Sequence, residues 1–410
     1  MTEEPDQTTP HGPLSGYRVL EMGSTVAGPF CGRLLADFGA EVIKIEPPEG
    51  DPVRTMGKRF HGKSLYAASM FRNKALISVD LRRPEGRDIA RELAVRSDLV
   101  VENFRPGGLE KWGLGYEQLS ALNPKLIMVR ISGFGQTGPY RQRTGYGVIS
   151  EAVSGLRHLT GDPDRPPTRV AVSMTDYITG LYGAFGATLA LLAREKSGRG
   201  QYIDAALYEC AFSFMEPWIP AYQKLKHVAG RTGSRLEEST PNNLYPTGDR
   251  QFIHITAMAD TIFRRLAAVM AQPELPADPR FATAVARSQH HADIDDIIAR
   301  WTSTLPVAEL EQMLEQAGVP ATRVFTIADI FGDPHYRERG SIVEAPDADL
   351  GTVAMAAVVP RLSATPGAVR HAGHRIGEDS GAVLRDLLGL SQERISALET
   401  AGIVKCGSKA

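Results

Sequence analysis

The sequence predicts an α/β fold, with a large Rossmann-like domain and a second, smaller α+β domain. Short apolar runs alternate with stretches of helical period through the first half of the chain. Near residue 226 the composition turns charged, glycine-containing and poor in apolar residues, and a mostly helical stretch follows. After residue 333 strand-like segments return.

Residues 17–22 form a short apolar strand, and 27–40 a helix with Gly39 near its end. Residues 41–46 alternate, with Val42, Lys44 and Glu46 on one face and Ile43 and Ile45 apart from them. Residues 75–81 give another strand. Pro84 and Glu85 open a helix over 84–96, since proline and an acid both suit a first turn. Strands follow at 98–104 and 125–132. This alternation indicates a parallel sheet with helices on both faces, and ligands of such sheets sit at the carboxyl ends of the strands. The apolar stretch 178–193, dotted with glycines, reads as a buried helix. Residues 226–243 read as a linker or lid, and 243–255 as a hairpin around Pro246-Thr247-Gly248-Asp249. Helices are predicted at 261–271, 293–304 and 307–317. Strands at 342–343 and 352–360 come next, then helices at 380–388 and 392–401. The polar residues 1–13 are expected to be a disordered tail.

Hydrophobic residues make up 42% of the 410 and charged residues 23%, which suits a packed core. Lys plus Arg is 46 against 48 acids, so no general basic field points to nucleic acid. The three cysteines, Cys31, Cys210 and Cys406, are far apart and form no CxxC. That pattern fits a reducing cytoplasm and gives neither a disulfide framework nor a zinc site. The start of the chain lacks the basic and apolar regions of a signal peptide. No apolar run approaches the ~20 residues of a membrane span.

Gly133-Phe134-Gly135-Gln136-Thr137-Gly138 matches GxGxxG and follows a strand. A dinucleotide fingerprint also needs a helix opening there, but Pro139 follows, and the first strand-to-helix turn holds Gly23-Ser24-Thr25-Val26-Ala27-Gly28 instead. A loop that lets backbone approach a thioester fits better, with Gly135 and Gln136 on it. Cations gather near strand ends: Arg54, Lys58, Arg59 and Lys63; Arg72 and Lys74; Arg105 and Lys111. They are either solvated loop charges or a site for a phosphorylated ligand. Phe71, Phe104 and Trp112 offer flat apolar neighbours for an adenine. Asp176 precedes a glycine-rich helical stretch; it reads as an N-cap or as a carboxylate nucleophile kept ionised by the helix dipole. His290-His291, His158, His335, His371 and His374 form no metal-binding pattern, and there is no GxSxG.

Taken together these segments resemble the class III CoA transferases of the CaiB/BaiF type, a family that includes formyl-CoA transferase and α-methylacyl-CoA racemase. The resemblance rests on Val26-Ala27-Gly28-Pro29, on residues 34–46 (LLADFGAEVIKIE), on Arg72-Asn73-Lys74 and on residues 101–107 (VENFRPG). It rests also on residues 133–139, Asp176 and Asp333-Pro334-His335-Tyr336. It runs from about Leu14 to Val404.

The resemblance implies a ring-shaped subunit interlocked with a second as a homodimer. Residues 14–225 and a returning segment, 333–410, would build the large domain, with 226–332 as the small one. It implies that Asp176 is the catalytic nucleophile, with CoA and acyl-CoA as substrates and no permanent cofactor or metal. Asn103, Phe104 and Lys111 match positions around the CoA adenosine and phosphates; Arg72, Lys74 and Arg105 border the same moiety. Tyr146 stands where the racemases carry a histidine, which counts against a racemase or epimerase. Val26 stands where formyl-CoA transferase has glutamine, which counts against formate and oxalate. The pattern is nearest to transferases that use succinyl-CoA and short dicarboxylates, with Arg143 or Arg169 for the second carboxylate. The alternatives are the racemase and a non-catalytic acyl-CoA binding protein.

Overall fold

The structure, a computed structural model, describes residues 12–236 and 238–407. The expected tail lies outside the described residues except for Gly12 and Pro13. The chain divides into two compact units. The larger takes in residues up to 156, 170–220 and 338 onward; the smaller takes in 157–169 and 221–337. The expected small domain thus lies inside a unit that also includes residues 157–169.

A seven-stranded sheet forms the centre of the larger unit. Its order is Val404–Lys405, Lys74–Val79, Glu41–Glu46, Arg18–Glu21, Leu99–Glu102, Ile127–Ser132, Tyr202–Ala206. Every pairing is parallel except that of Val404–Lys405, which runs antiparallel to Lys74–Val79. Val19 pairs with Val42 on one side and Leu99 on the other. The order therefore turns back at Arg18–Glu21, and its crevice with Leu99–Glu102 is where ligands of open sheets settle. Leu20, Ile43, Ile77, Val100 and Met128 fill one face, with the Pro84–Val95 helix over them. Val19, Val42, Val101, Val129 and Ile131 fill the other, beneath the Ala27–Asp37 and Met174–Ser197 helices. Glycines let these last two helices close on each other. A Cβ at Gly180 would lie 2.8 Å from the Ala27 carbonyl oxygen, and one at Gly183 3.2 Å from Cys31 Sγ. Their amino-terminal ends are thereby brought to one place.

The alternating face of Glu41–Glu46 has an unusual use. Lys44 is fully buried and its Nζ lies 3.1 Å from Glu21 Oε1 and 3.0 Å from Asp51 Oδ2. Burial opposes that charge, but Asp51, Glu21 and Glu46 raise the pKa of Lys44 above its ordinary value.

Arg72 and Lys74, expected to border the CoA, are both fully buried. Arg72 donates to both oxygens of Asp37 at 2.9 and 2.6 Å and to the Ala356 carbonyl at 2.6 Å. Lys74 Nζ lies 2.6 Å from Glu21 Oε2 and 2.7 Å from the Pro29 carbonyl oxygen. Burial pulls Lys74 down to about 8, against the attraction of Glu21. These cations hold the sheet to its flanking segments and have no surface left for a phosphate. Asp37→Ala would strand a buried guanidinium, and breaking such a pair costs about 3–5 kcal/mol. A urea-denaturation midpoint is expected to fall accordingly.

The smaller unit has a three-stranded antiparallel sheet, Ala321–Arg323, Phe252–Thr256 and Asn242–Pro246. The expected hairpin is its Asn242–Pro246 and Phe252–Thr256 pair. Helices Asp260–Val269, His291–Thr302 and Val307–Gln316 contribute Phe263, Ile294, Ile298, Leu310 and Leu314 to its core.

Candidate active site

The loop after Arg18–Glu21 is pinned from several sides. Lys44 Nζ donates to the Gly23 carbonyl at 2.6 Å. The Asn103 amide grips Ser24 twice: Oδ1 accepts its N–H and Nδ2 donates to its carbonyl, both at 2.8 Å. The Thr25 N–H points at Asp51, 3.1 Å from Oδ1. Gly23 and Gly28 leave the room this needs, since a Cβ on either would press on the other's Cα at 3.1–3.2 Å and on the Asn103 amide. Asn103 therefore spends much of its hydrogen-bonding capacity on the loop.

Beside this loop, within the larger unit, lie two adjoining cavities. One, of about 240 Å³, is lined by Ile45, Pro47, Asp51, Leu81, Arg82, Phe104 and Trp112 among others. Phe104 and Trp112 meet edge to face at 5.5 Å. Glu102 fixes this wall: its Oε2 accepts the Phe104 N–H at 2.8 Å, and its Oε1 lies 3.1 Å from Arg130 Nε. Arg130 in turn reaches Glu110 on the Glu110–Trp112 turn at 2.5 Å. Burial pushes the Glu102 carboxyl up to about 7, with Arg130 pulling the other way.

The second cavity, of about 310 Å³, shares Ser24, Pro52, Asn103 and Phe104 with the first. Val26, Arg105, Arg141, Arg143, Tyr146 and Asp176 line it. Arg143 lies over the Tyr140 ring at 3.5 Å, and Arg105 Nη2 donates to Thr144 Oγ1 at 2.9 Å. Asp176 does not cap its helix. The helix begins at Met174, so the carboxylate sits in the first turn, where the helix dipole favours an anion. It is half-buried and packed against Gly147, where a Cβ would fall 1.9 Å from Asp176 Oδ2. Thr175 Oγ1 anchors the same contact by donating to the Gly147 carbonyl at 2.8 Å. Nearby, the Tyr66 and Tyr177 hydroxyls are 2.8 Å apart. Burial, the Tyr177 hydroxyl and the Asp176 charge together push the Tyr66 phenol up.

Of the residues singled out in the sequence, Val26, Asn103, Phe104, Arg105, Arg143, Tyr146 and Asp176 line the two cavities. Lys111, Gly135 and Gln136 are not among the lining residues. Lys111 is exposed on the turn that carries Trp112. Gly135, at φ 85, donates to Ser132 Oγ, and the Gln136 N–H to Asp204 Oδ2 at 2.8 Å, so this part of the glycine loop is tied back to the sheet. Its first glycine does meet the cavity: a Cβ on Gly133 would lie 2.9 Å from the Gly145 Cα. Arg54 and Lys63 are engaged by Glu46 and Asp347. Sequence reasoning missed Ser24, Arg82, Thr144, Gly147 and Tyr66. The glycine beside Tyr146 was the one available signal among these, as a small residue at the start of a helix, Gly147–Val153.

No helix among the described residues is long and apolar enough to cross a membrane. Among the same residues no group of three or more His, Cys, Asp or Glu side chains could hold a metal ion.

Residues 14–380 match CoA-transferase family III. The succinyl-CoA–D-citramalate CoA-transferase of Chloroflexus aurantiacus is 50% identical over 397 residues, covering 96% of this chain and 99% of its own. The beta subunit of that organism's succinyl-CoA–L-malate CoA-transferase is 42% identical, covering 97% and 100%. The crystal structure of a CaiB/BaiF family protein from Brucella suis superposes with a TM-score of 0.83 at 34% identity, covering 92% of this chain and all of that one. The chain belongs to CoA-transferase family III and is an enzyme of that class, a CoA transferase acting on CoA thioesters.

Proposed function

We propose that the enzyme moves CoA from succinyl-CoA to a short dicarboxylate through covalent intermediates on Asp176. The observation that carries the reading is the placement of the Asp176 carboxylate on a cavity that adjoins the cleft walled by Phe104 and Trp112. The adenine lies against those rings, and the pantetheine arm passes Ser24 and Asn103 toward Asp176.

Asp176 attacks the thioester carbonyl, giving a mixed anhydride and the CoA thiolate. The thiolate attacks the aspartyl carbonyl and releases the donor acid, leaving an aspartyl-CoA thioester. The acceptor carboxylate attacks that carbonyl to form a second anhydride and free the thiolate again. Attack on the acceptor's acyl carbon then releases the new thioester and restores Asp176. Each anhydride keeps the activation of the thioester, so no ATP is consumed. The names of the relatives, with D-citramalate and L-malate as acceptors, support a dicarboxylate preference.

Arg143, exposed on the cavity wall, would meet the second carboxylate. Arg143→Ala is expected to raise the KM for dicarboxylate acceptors by roughly 10- to 100-fold, the worth of a charge-assisted hydrogen bond, and to leave monocarboxylates nearly unchanged. A mass-spectrometric screen of succinyl-CoA and acetyl-CoA against a panel of carboxylic acids tests the substrate reading. CoA transfer restricted to monocarboxylates would refute it, and so would α-proton exchange of 2-methylacyl-CoA without transfer.

The same proposal includes a Rossmann-like sheet in a ring-shaped subunit interlocked with a second copy. The strand order supports the first part. The exposed row Leu181, Phe185, Leu189 and Leu192 on the Met174–Ser197 helix supports the second.

A further inference from the structure

Thr25 is β-branched, yet its φ is 69°. Such residues avoid the left-handed region, and where one persists its surroundings hold it there. The holder is a buried carboxylate from the turn after the second strand. The Thr25 N–H points at both oxygens of Asp51, at 3.1 and 3.2 Å, and Asp51 is 2% exposed. An acid just before the short Pro52–Thr55 turn is ordinarily only a cap, and its 2.9 Å bond from the Val53 N–H is that cap. The cap requires neither Thr25 nor Lys44. Lys44 Nζ nevertheless lies 3.0 Å from Asp51 Oδ2, and the Asp51 N–H is fixed on Glu46 Oε2 at 2.9 Å. One carboxylate thus joins the second strand, the turn after it and the loop that lines the cavity of Asp176. Asn103 holds the neighbouring Ser24 from the other side.

We propose that Asp51 is a positioning residue for CoA transfer: by holding Thr25 left-handed it sets the face that Thr25, Val26 and Ala27 present to the thioester opposite Asp176. The inference rests on the reading of Asp176 as nucleophile. Asp51→Asn keeps the side chain's shape and one acceptor oxygen but removes the charge that faces Lys44. It is expected to lower kcat, and the single-turnover rate of adduct formation on Asp176, at least tenfold in enzyme that circular dichroism shows to be folded.

Glycine adopts positive φ without steric cost. Thr25→Gly added to Asp51→Asn should therefore recover at least threefold of the loss, which a merely structural role for Asp51 would not produce. Thr25→Pro tests the same link independently, because proline can neither reach positive φ nor donate an N–H; it should lose at least tenfold in kcat. Folded Asp51→Asn or Thr25→Pro enzyme working within threefold of the parent rate would overturn the proposal, as would a double variant no faster than Asp51→Asn. Full transfer by Asp176→Ala would sink the nucleophile reading instead. A dead Asp176→Ala beside a full-rate Asp51→Asn would sink this inference alone.

Discussion

Asp176→Ala is expected to abolish CoA transfer and leave CoA binding within about threefold of the parent value, since the walls proposed for adenine and pantetheine stay in place. The loss in kcat should reach on the order of 10⁴-fold or more, the scale seen when a covalent nucleophile is removed. The carboxylate lines the cavity from the first turn of Met174–Ser197, and its helix is locked to Ala27–Asp37 by close glycine contacts, so deletion of the side chain should not disturb the fold. Asp176→Glu keeps the charge but moves it by a methylene, and a ~1 Å misplacement costs ~100-fold. Steady-state kinetics with titration of CoA by calorimetry separates the two effects. Lost binding with an unchanged kcat would contradict the assignment.

Gly147→Ala should cost about as much as Asp176→Glu while leaving the Asp176 side chain itself unchanged. The added methyl would fall 1.9 Å from Asp176 Oδ2 and 2.7 Å from Thr175 Oγ1. Gly147 does not occupy a positive φ, so the backbone tolerates alanine and only space is at issue. Asp176 must therefore move, and a displacement of ~1 Å again implies ~100-fold in kcat. The melting temperature should change by only a few degrees, as for a change of about 1 kcal/mol. A full-rate Gly147→Ala enzyme would mean that the carboxylate does not need its present place.

The sheet was legible where apolar runs stood between helix signals: four parallel strands fall within the predicted segments, and a fifth, Lys74–Val79, overlaps the predicted 75–81. Tyr202–Ala206 was not, because Asp204 interrupts a short run; its carboxylate takes the Gln136 N–H, a purpose no local pattern reveals. The burial of Arg72 and Lys74 was hidden for a related reason. A cation at a strand end looks like a ligand group, while the acids that neutralise them, Asp37 and Glu21, lie 35 and 53 residues away in sequence. Lys44 and Glu46 alternate as a polar face would, yet they form a buried ionic layer under the loop at Thr25. The residues around Asp176 left cap and nucleophile both open, because an acid near a helix start is ordinarily a cap, and only the family resemblance chose between them. Phe104 and Trp112 were legible as flat apolar neighbours near a strand end, and they do face each other across the cleft wall.

The most direct measurement is peptide-resolved mass spectrometry of the enzyme incubated with succinyl-CoA and then treated with borohydride, which reduces an aspartyl thioester or anhydride to homoserine. Homoserine at position 176, formed only when the donor is present, is the required result. Active enzyme with Asp176 unmodified, or with the adduct on another side chain, would contradict the account.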